Sequence, residues 1–210
     1  LWQGLSKYLY PTTTYHYNSG GDPEHIPELT HEQLVKFHKT HYHPSNAIFM
    51  TFGDIDAAEH QQKFLPVLSE FENSNDPIRV GLEQRYTEPQ AFEESYALAE
   101  AEPQAKATHV VVGWLLGPST DLKASLEAQL LDLVLLENSS SPLQHALETS
   151  DLGRSPSPLC GSDNSQREMC FAVGMEGSEP ENAEAIEQLV LGVLEQVASE
   201  GIGQEDLESC

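Results

Sequence analysis

Apolar residues recur along the chain at two spacings, and prolines and glycines mark the points where one spacing replaces the other. Spacings of three to four residues predict helices over residues 30–42, 56–71, 119–137, 142–149 and 180–199. Short apolar runs predict strands over residues 46–53, 92–98, 108–116 and 169–174. Residues 1–10 have the pattern of a helix end, whereas residues 73–90 and 153–161 have the composition of connections.

The same pattern predicts which elements form the core. Strand 108–116 contains three consecutive valines and Trp114, so it is apolar on both faces and is expected at the centre of the sheet. Strand 92–98 is expected to be its antiparallel neighbour. The core-facing stripe expected on helix 119–137 is Leu122, Leu126, Leu130, Leu133 and Val134. We therefore predict an α+β fold, with a mostly antiparallel sheet of four to five strands and helices packed on one face.

A turn followed by a capped helix is the most distinctive local motif. Gly20 and Gly21 before Asp22 and Pro23 predict a tight turn, because glycine adopts positive φ without penalty. A threonine N-cap with a glutamine three residues later forms a capping box. The residues of this structural motif are Gly20, Gly21, Asp22, Pro23, Thr30, Tyr42, Pro44 and Asn46.

The negative net charge of the chain limits the classes of molecule that it is expected to bind. The chain has 34 acidic and 10 basic residues, a formal net charge of −24, and no lysine or arginine follows Arg167. Nucleic acid and anionic membranes are recognised by basic patches, so neither is an expected partner. No apolar run approaches the ~20 residues of a membrane-spanning helix. The acidic residues form either a solubilising surface or a negative wall that attracts basic peptides.

Cysteine and histidine are the residue types of this chain that most often bind zinc. Cys160, Cys170 and Cys210 lack a metal-binding spacing, and they are expected to be reduced thiols, with a Cys160–Cys170 bridge as the alternative. The histidines at issue are His31, His38, His41 and His43. No carboxylate or cysteine completes a ligand set beside them, so we expect surface and helix-end histidines, with a zinc site as the alternative.

The serines Ser139, Ser140 and Ser141 lie four to six residues before His145, which suggests a nucleophile and its base. A serine triad also needs an orienting carboxylate and a strained turn, and no G-x-S-x-G elbow is present. We predict instead that Ser141 caps the helix that begins at Pro142. The three serines remain candidates for contacts with a peptide substrate.

Several separated blocks carry a family resemblance. The blocks are Ser19–Pro23, Ile26–Thr30, Phe37–Ala47, Leu135–Gly153 and Phe171–Gly177. In this order they resemble the presequence-protease branch of the pitrilysin/insulinase superfamily, which consists of large zinc peptidases that cut peptides inside a closed chamber. The similarity spans roughly residues 10 to 208.

The zinc motif of that superfamily, His-x-x-Glu-His, is absent from the chain. The nearest string, His25–Leu29, lacks the second histidine and contains Pro27, which disrupts a helix. The resemblance therefore implies a fragment of a zinc metalloendopeptidase whose metal site and zinc ion lie upstream, with no catalytic or metal-binding residue here. Residues 1–28 would end the preceding half-domain, and residues 29–208 would form the inactive-type second half of the first peptidase domain.

The resemblance also implies partners. These are peptides such as targeting presequences and the remaining domains of the parent, with the fragment serving as scaffold and chamber wall. Self-association is expected through the apolar face of the first helix, formed by Trp2, Leu5, Tyr8 and Leu9. Two other functions stay open: a non-catalytic peptide-binding paralogue and an unrelated acidic α+β binding module. A bacterial-type cytoplasm is the favoured compartment, with an organelle matrix as the alternative.

Overall fold

The computed structural model describes residues 1–74, 78–101 and 103–203, which form two compact units. The sheet unit joins Leu1–Asn18 to the chain from Gly81 onward, and the helix-pair unit is Ser19–Val80. Cys210 and the predicted domain end at residue 208 lie outside the described residues. The predicted boundary after residue 28 concerns the parent protein and stays a prediction.

All five predicted helices are present. The helices are α1 (Trp2–Leu9), α2 (His31–His41), α3 (Ala57–Leu68), α4 (Leu122–Leu136), α5 (Pro142–Thr149) and α6 (Ala183–Glu200). The strands are β1 (Thr108–Pro118), β2 (Ser155–Pro156), β3 (Gly161–Asp163) and β4 (Glu168–Ser178). Helix α3 ends at Leu68, three residues before the predicted end at residue 71 and two residues after Pro66, which lacks a backbone hydrogen-bond donor.

The four strands form one antiparallel sheet, which confirms the predicted α+β class. β4 is the central strand: β1 pairs along its length, and β2 and β3 pair with it at successive positions. The prediction that residues 108–116 form the central strand is therefore wrong, because β1 has β4 as its one partner strand within the described residues. A strand is apolar on both faces when other elements cover both faces of the sheet. This pattern does not show whether the strand has a neighbouring strand on each edge.

The core lies between the sheet and three helices. Its buried residues are Leu135, Leu143, Leu147, Val173, Met175, Ile186 and Val190, from α4, α5, β4 and α6. Val110 and Trp114 of β1 pack against this cluster. Because side chains alternate along a strand, these positions place α4, α5 and α6 on one face of the sheet, as predicted.

Helix α1 covers the other face. Gly113 lies between the core-facing residues Val112 and Trp114, and a Cβ built on it would lie 2.9 Å from Leu5 Cδ1. The Tyr8 ring stacks on Phe92 with centroids 3.8 Å apart. The apolar face of α1 is thus covered by its own chain, and the reason given above for self-association is wrong.

Two predicted strands are not formed within the described part of the chain. Residues 46–53 and 92–98 pair with no strand among the described residues. The second segment is held instead by side chains: Glu94 Oε1 accepts hydrogen bonds from Lys7 Nζ and Tyr8 Oη, each at 2.6 Å. The apolar runs were recognised correctly, but a strand needs an adjacent edge as well as a suitable composition.

The leucine stripe of α4 points away from the core, contrary to prediction. Four of its five residues are exposed, namely Leu122 (82%), Leu126 (55%), Leu130 (54%) and Leu133 (38%), whereas Val134 is half-buried; Leu131, outside the predicted stripe, is also exposed (52%). The buried face is formed by Ser125 and Leu135. Leucines lie around most of this helix, so periodicity could not show which side faces the sheet.

In the helix-pair unit the local motif is confirmed. Thr30 Oγ1 accepts from the Gln33 amide at 3.2 Å, and Gln33 Oε1 accepts from the Thr30 amide at 2.7 Å. Gly21 has φ 86°, and the Asp22 carboxylate accepts from the Glu24 amide at 2.9 Å in the turn that leads to α2. The remaining motif residues follow α2: Tyr42 is its C-cap, and Pro44–Asn46 form a 3-10 turn.

Candidate functional site

The serine-rich turn connects α4 to α5, and its backbone is held by its own side chains. Ser141 occupies the predicted N-cap position of α5 before Pro142, but its hydroxyl forms no hydrogen bond to the helix and instead accepts from the Asn138 amide at 3.3 Å. Asn138 Oδ1 in turn accepts from the Ser140 amide at 2.9 Å. Ser141 is buried, whereas Ser139 and Ser140 are exposed and can offer hydroxyl groups to a ligand.

His145 and Glu148 lie beside this turn but do not activate a serine. His145 Nδ1 lies 3.2 Å from the carbonyl oxygen of Ser139, not from a hydroxyl group. Hydrogen bonds from Gln144 and then Ser139 lower the pKa of the exposed Glu148 carboxyl. The arrangement therefore suits a polar turn that contacts a chain by hydrogen bonds, because His145 makes no contact with a serine hydroxyl of the kind that a serine hydrolase needs.

The histidines around α2 contact aromatic rings. The rings of His38 and Tyr42 are stacked 5.0 Å apart, and those of His43 and Phe71 meet edge-on at 5.4 Å. His43 Nδ1 also accepts from the Ser45 amide at 3.2 Å. Over residues 1–74, 78–101 and 103–203, no group of three or more histidine, cysteine or acidic side chains is placed to hold a metal ion.

A buried carboxylate pair is a feature that the sequence analysis missed. Glu83 is 6% exposed, and its carboxylate accepts from the Thr12 hydroxyl at 2.5 Å and from the amides of Thr12 and Thr13 at 3.1 and 3.0 Å. Glu168 is 4% exposed and accepts from the Glu83 amide at 2.5 Å and from Arg85 Nη2 at 2.7 Å. We call this set of five residues the carboxylate latch.

The latch holds the connection after Gly81 against the end of α1 and the start of β4. Burial by itself raises the pKa of the Glu83 carboxyl, but hydrogen bonds from the Thr12 hydroxyl and from the amides of Gln84 and Thr12 outweigh it and lower the pKa. Residues 73–90 were predicted as an exposed connection because they are polar. No spacing in the sequence indicated that one of these glutamates is buried.

The two described cysteines are free thiols on different faces of the sheet. Cys160 Sγ lies 3.4 Å from both the amide and the carbonyl oxygen of Gly174, on the side of the main core. Cys170 is paired with Leu115 on the α1 side, where burial raises the pKa of its thiol to about 11. The prediction of reduced, buried thiols fits this placement, and the alternative Cys160–Cys170 bridge does not form.

The α+β fold agrees with the class found by comparison. Residues 28–210 match the family described as the peptidase M16 inactive domain. This match covers most of the chain, so the chain belongs to the peptidase M16 family, in the presequence-protease branch of the pitrilysin/insulinase superfamily.

Named relatives place the chain within a longer protein. It is 36% identical to the mitochondrial presequence protease of Mus musculus over 209 residues and 35% identical to that of Xenopus tropicalis over 209 residues. It is 32% identical over 204 residues to the chloroplastic/mitochondrial presequence protease 1 of Arabidopsis thaliana. These alignments cover 96–99% of this chain but 19–20% of each relative, so the chain spans about a fifth of their length.

Proposed function

We propose that residues 1–210 are a non-catalytic segment of a zinc metalloendopeptidase that degrades peptides, such as targeting presequences, in an enclosed chamber. The segment would be the second half of the first peptidase domain and would form scaffold and chamber wall. The observation that carries this proposal is the match of residues 28–210 to the M16 inactive domain. The names of the relatives, which are presequence proteases, support the substrate class.

The residues of this chain do not fit the zinc ion that the family resemblance implies. The His-x-x-Glu-His motif is absent from the sequence, and the described residues place no three potential ligands together. The rings of His38, His41 and His43, which the sequence offered as alternative zinc ligands, lie against aromatic rings. We therefore assign the metal and the chemical step to the parent protein outside this segment.

The contribution of this segment to the peptidase would be structural and electrostatic. The sheet and its three core helices enclose a buried core, and the exposed hydroxyls of Ser139 and Ser140 are candidates for contacts with a bound peptide. The net charge of −24 favours approach of basic peptides, because a field of one sign raises the local concentration of the opposite charge. Transit peptides are arginine-rich and poor in acids, which matches this field.

Family membership removes the unrelated binding module from the alternatives. A non-catalytic, peptide-binding paralogue remains a second candidate, because the matched domain is described as inactive. The names of the relatives are mitochondrial and chloroplastic, so we propose an organelle matrix in place of the bacterial-type cytoplasm favoured by the sequence analysis. No helix among the described residues is long and apolar enough to cross a membrane.

We predict that the 210-residue chain neither retains one zinc ion per molecule nor cleaves peptides. Metal analysis after dialysis against a chelator, together with a fluorogenic basic peptide, measures both properties. The full-length protein is the matched control and is expected to cleave the peptide until the chelator is added. Stoichiometric zinc with chelator-sensitive cleavage by the 210-residue chain would contradict the proposal. Peptide binding without cleavage by the full-length protein would identify the paralogue.

A further inference from the structure

The turn that follows α2 is held by a histidine that accepts a hydrogen bond. His43 is the N-cap of the 3-10 turn Pro44–Asn46, and its Nδ1 accepts from the Ser45 amide at 3.2 Å. A backbone amide can only donate a hydrogen bond, so Nδ1 carries no proton in this arrangement, and the ring is neutral with its proton on Nε2. We call His43 and Ser45 together the histidine cap.

The other hydrogen-bonded histidines of the described residues have the opposite kind of partner. The Nδ1 atoms of His16, His25 and His145 lie 3.1–3.2 Å from carbonyl or carboxylate oxygens. An oxygen acceptor can be retained when the ring becomes doubly protonated, because both ring nitrogens are then donors. Within the described part of the chain, His43 is thus the one histidine whose ring hydrogen bond is lost on protonation.

The histidine cap also connects the end of α2 to the chain that follows α3. Ser45 Oγ donates to Asn73 Oδ1 at 3.1 Å and accepts from the Ser74 amide at 3.0 Å. The His43 ring meets the Phe71 ring edge-on, with the ring centres 5.4 Å apart. Both residues of the cap therefore hold the chain just after α3, and a change in the turn is transmitted directly to that helix end.

The surroundings of His43 favour its neutral form. The ring is half-buried and lines a cavity of ≈ 510 Å³ between the turn and α3. The other titratable groups that line this cavity are His41 and Tyr42, neither of which is negatively charged at neutral pH. The side chains from α3 and the residues after it are all apolar: Phe64, Val67, Leu68 and Phe71.

Carboxylates are present nearby but are not paired with this ring. Glu70 and Glu72 flank Phe71 in sequence, and both are exposed. The ion pairs of the described residues include one histidine, His25, and not His43. A protonated His43 ring therefore loses its bond to the Ser45 amide without gaining an ion pair in this arrangement.

We propose that the histidine cap is a pH-sensitive switch in the helix-pair unit. At neutral pH the uncharged ring caps the turn and holds the end of α3. When the ring binds a second proton, Nδ1–H faces the Ser45 N–H, two donors oppose each other, and the turn releases the residues that it holds. Free imidazole binds its proton near pH 6.5, so the stabilising contribution is complete above that region and is lost as the pH falls through it.

Nuclear magnetic resonance of the 210-residue chain tests the hydrogen bond directly. At pH 8, the ring ¹⁵N signals of His43 are expected to show the neutral form with its proton on Nε2. During titration to pH 5.5, the amide signals of Ser45 and Ser74 should shift together with those of the ring. A ring that carries its proton on Nδ1 at pH 8 would overturn the proposal, and so would amide signals that stay fixed while the ring titrates.

A substitution separates protonation from packing. In His43→Asn the side-chain oxygen can accept from the same amide, two residues on, but it does not titrate. Hydrogen exchange of the α3 amides is compared between the unsubstituted chain and the variant at pH 7.5 and at pH 5.5. The ratio of their rates is expected to rise about fivefold in favour of the unsubstituted chain at the lower pH, the size of effect expected when a cap is lost.

The ratio removes two other effects from the comparison. The intrinsic pH dependence of exchange is common to both proteins, and loss of the contact with Phe71 would change the variant by the same factor at both pH values. His38→Asn is the control, because the His38 ring stacks on Tyr42 and the variant should keep the acid response of the unsubstituted chain. A ratio for His43→Asn that is the same at both pH values would show that His43 only packs, and it would overturn the proposal.

Discussion

At the residue scale, Glu83 joins three separate parts of the sheet unit. Its side-chain carboxylate accepts hydrogen bonds from Thr12 and Thr13 after α1, and its backbone amide donates a hydrogen bond to Glu168 of β4. Hydrogen bonds to charged groups contribute about 1.5–3 kcal/mol each, and an unsatisfied buried donor costs a comparable amount. The carboxylate latch therefore links the connection at residues 81–86 to the folded core more firmly than its polar sequence suggests.

We predict that Glu83→Gln destabilises the chain by about 1–3 kcal/mol at pH 7 and by less in acid. The folded pKa of Glu83 lies below its ordinary value of 4.5, so its stabilising contribution is present above that value and is lost as the pH falls through the folded pKa. Urea unfolding at neutral and acidic pH measures the difference. The control is Glu88→Gln, at an exposed position. A pH-independent loss after Glu83→Gln would contradict the role of the carboxylate.

Gly174 allows β1 and β4 to approach closely. A Cβ added there would lie 2.0 Å from the Val110 carbonyl oxygen and 2.7 Å from Val111 Cα, both of which are backbone atoms that cannot rotate away. We predict that Gly174→Ala costs about 3 kcal/mol of folding free energy. A Cβ added at Gly192 in α6 would have no neighbouring atom within 4 Å, so Gly192→Ala should stabilise the folded chain by about 0.5–1 kcal/mol. Chemical denaturation compares the two, and an equal effect of both changes would rule out the steric explanation.

At the scale of elements, α4 differs most from the behaviour of an ordinary surface helix. Its leucines lie around most of its circumference, a pattern typical of a helix that is covered on several sides. The sheet covers one side, and five leucines remain more than a third exposed on the other. The apolar surface that α1 was expected to present is therefore found on α4.

We predict that the 210-residue chain self-associates through α4 when salt screens its charge. Sedimentation at low and high salt is the measurement, since repulsion between chains of net charge −24 weakens as the screening length shortens. The double change Leu126→Glu and Leu130→Glu should keep the chain monomeric at high salt. The control is the double change Gln61→Glu and Gln62→Glu, which adds the same charge on α3 and should leave self-association at high salt intact. If both double variants were monomeric, the effect would come from added charge in general and not from α4.

At the scale of the molecule, the two units differ in how much they bury. Among the described residues of the helix-pair unit, 19–74 and 78–80, none is fully buried, whereas the sheet unit contains a contiguous buried core. Without buried apolar area, the capped helices α2 and α3 depend on local interactions that stabilise short helices weakly. The unit is therefore expected to depend on contacts outside itself for stability.

We predict that the helix-pair unit of the 210-residue chain opens before the sheet unit. Amides of α2 should exchange with solvent much faster than amides of β4, and denaturation should show two transitions. The full-length protein provides the comparison, because contacts of the helix-pair unit with the rest of that protein should slow exchange in α2 and α3 as well. A single transition with equal protection of α2 and β4 would show that the two units fold cooperatively.

The sequence by itself determined the features whose causes lie within a few residues. The capping box at Thr30 and the start of α5 at Pro142 depend on neighbouring residues, so each could be predicted locally. The resemblance also identified the family, because its blocks occur in order along most of the chain. The position of the serine turn between α4 and α5 was also predicted locally, and its contact with peptides remains a proposal.

The tertiary structure decided which elements meet. β4 is central, and the covered side of α4 is the one away from its leucine stripe, because pairing depends on the edges and faces that distant segments offer. Glu83 is buried because Thr12, 71 residues earlier in the chain, supplies its hydrogen bonds. The run at residues 47–53 has the composition of a strand but lacks a partner among the described residues. Local sequence sets what a segment can become, whereas partners far away in sequence determine whether its hydrogen bonds and apolar surface are satisfied.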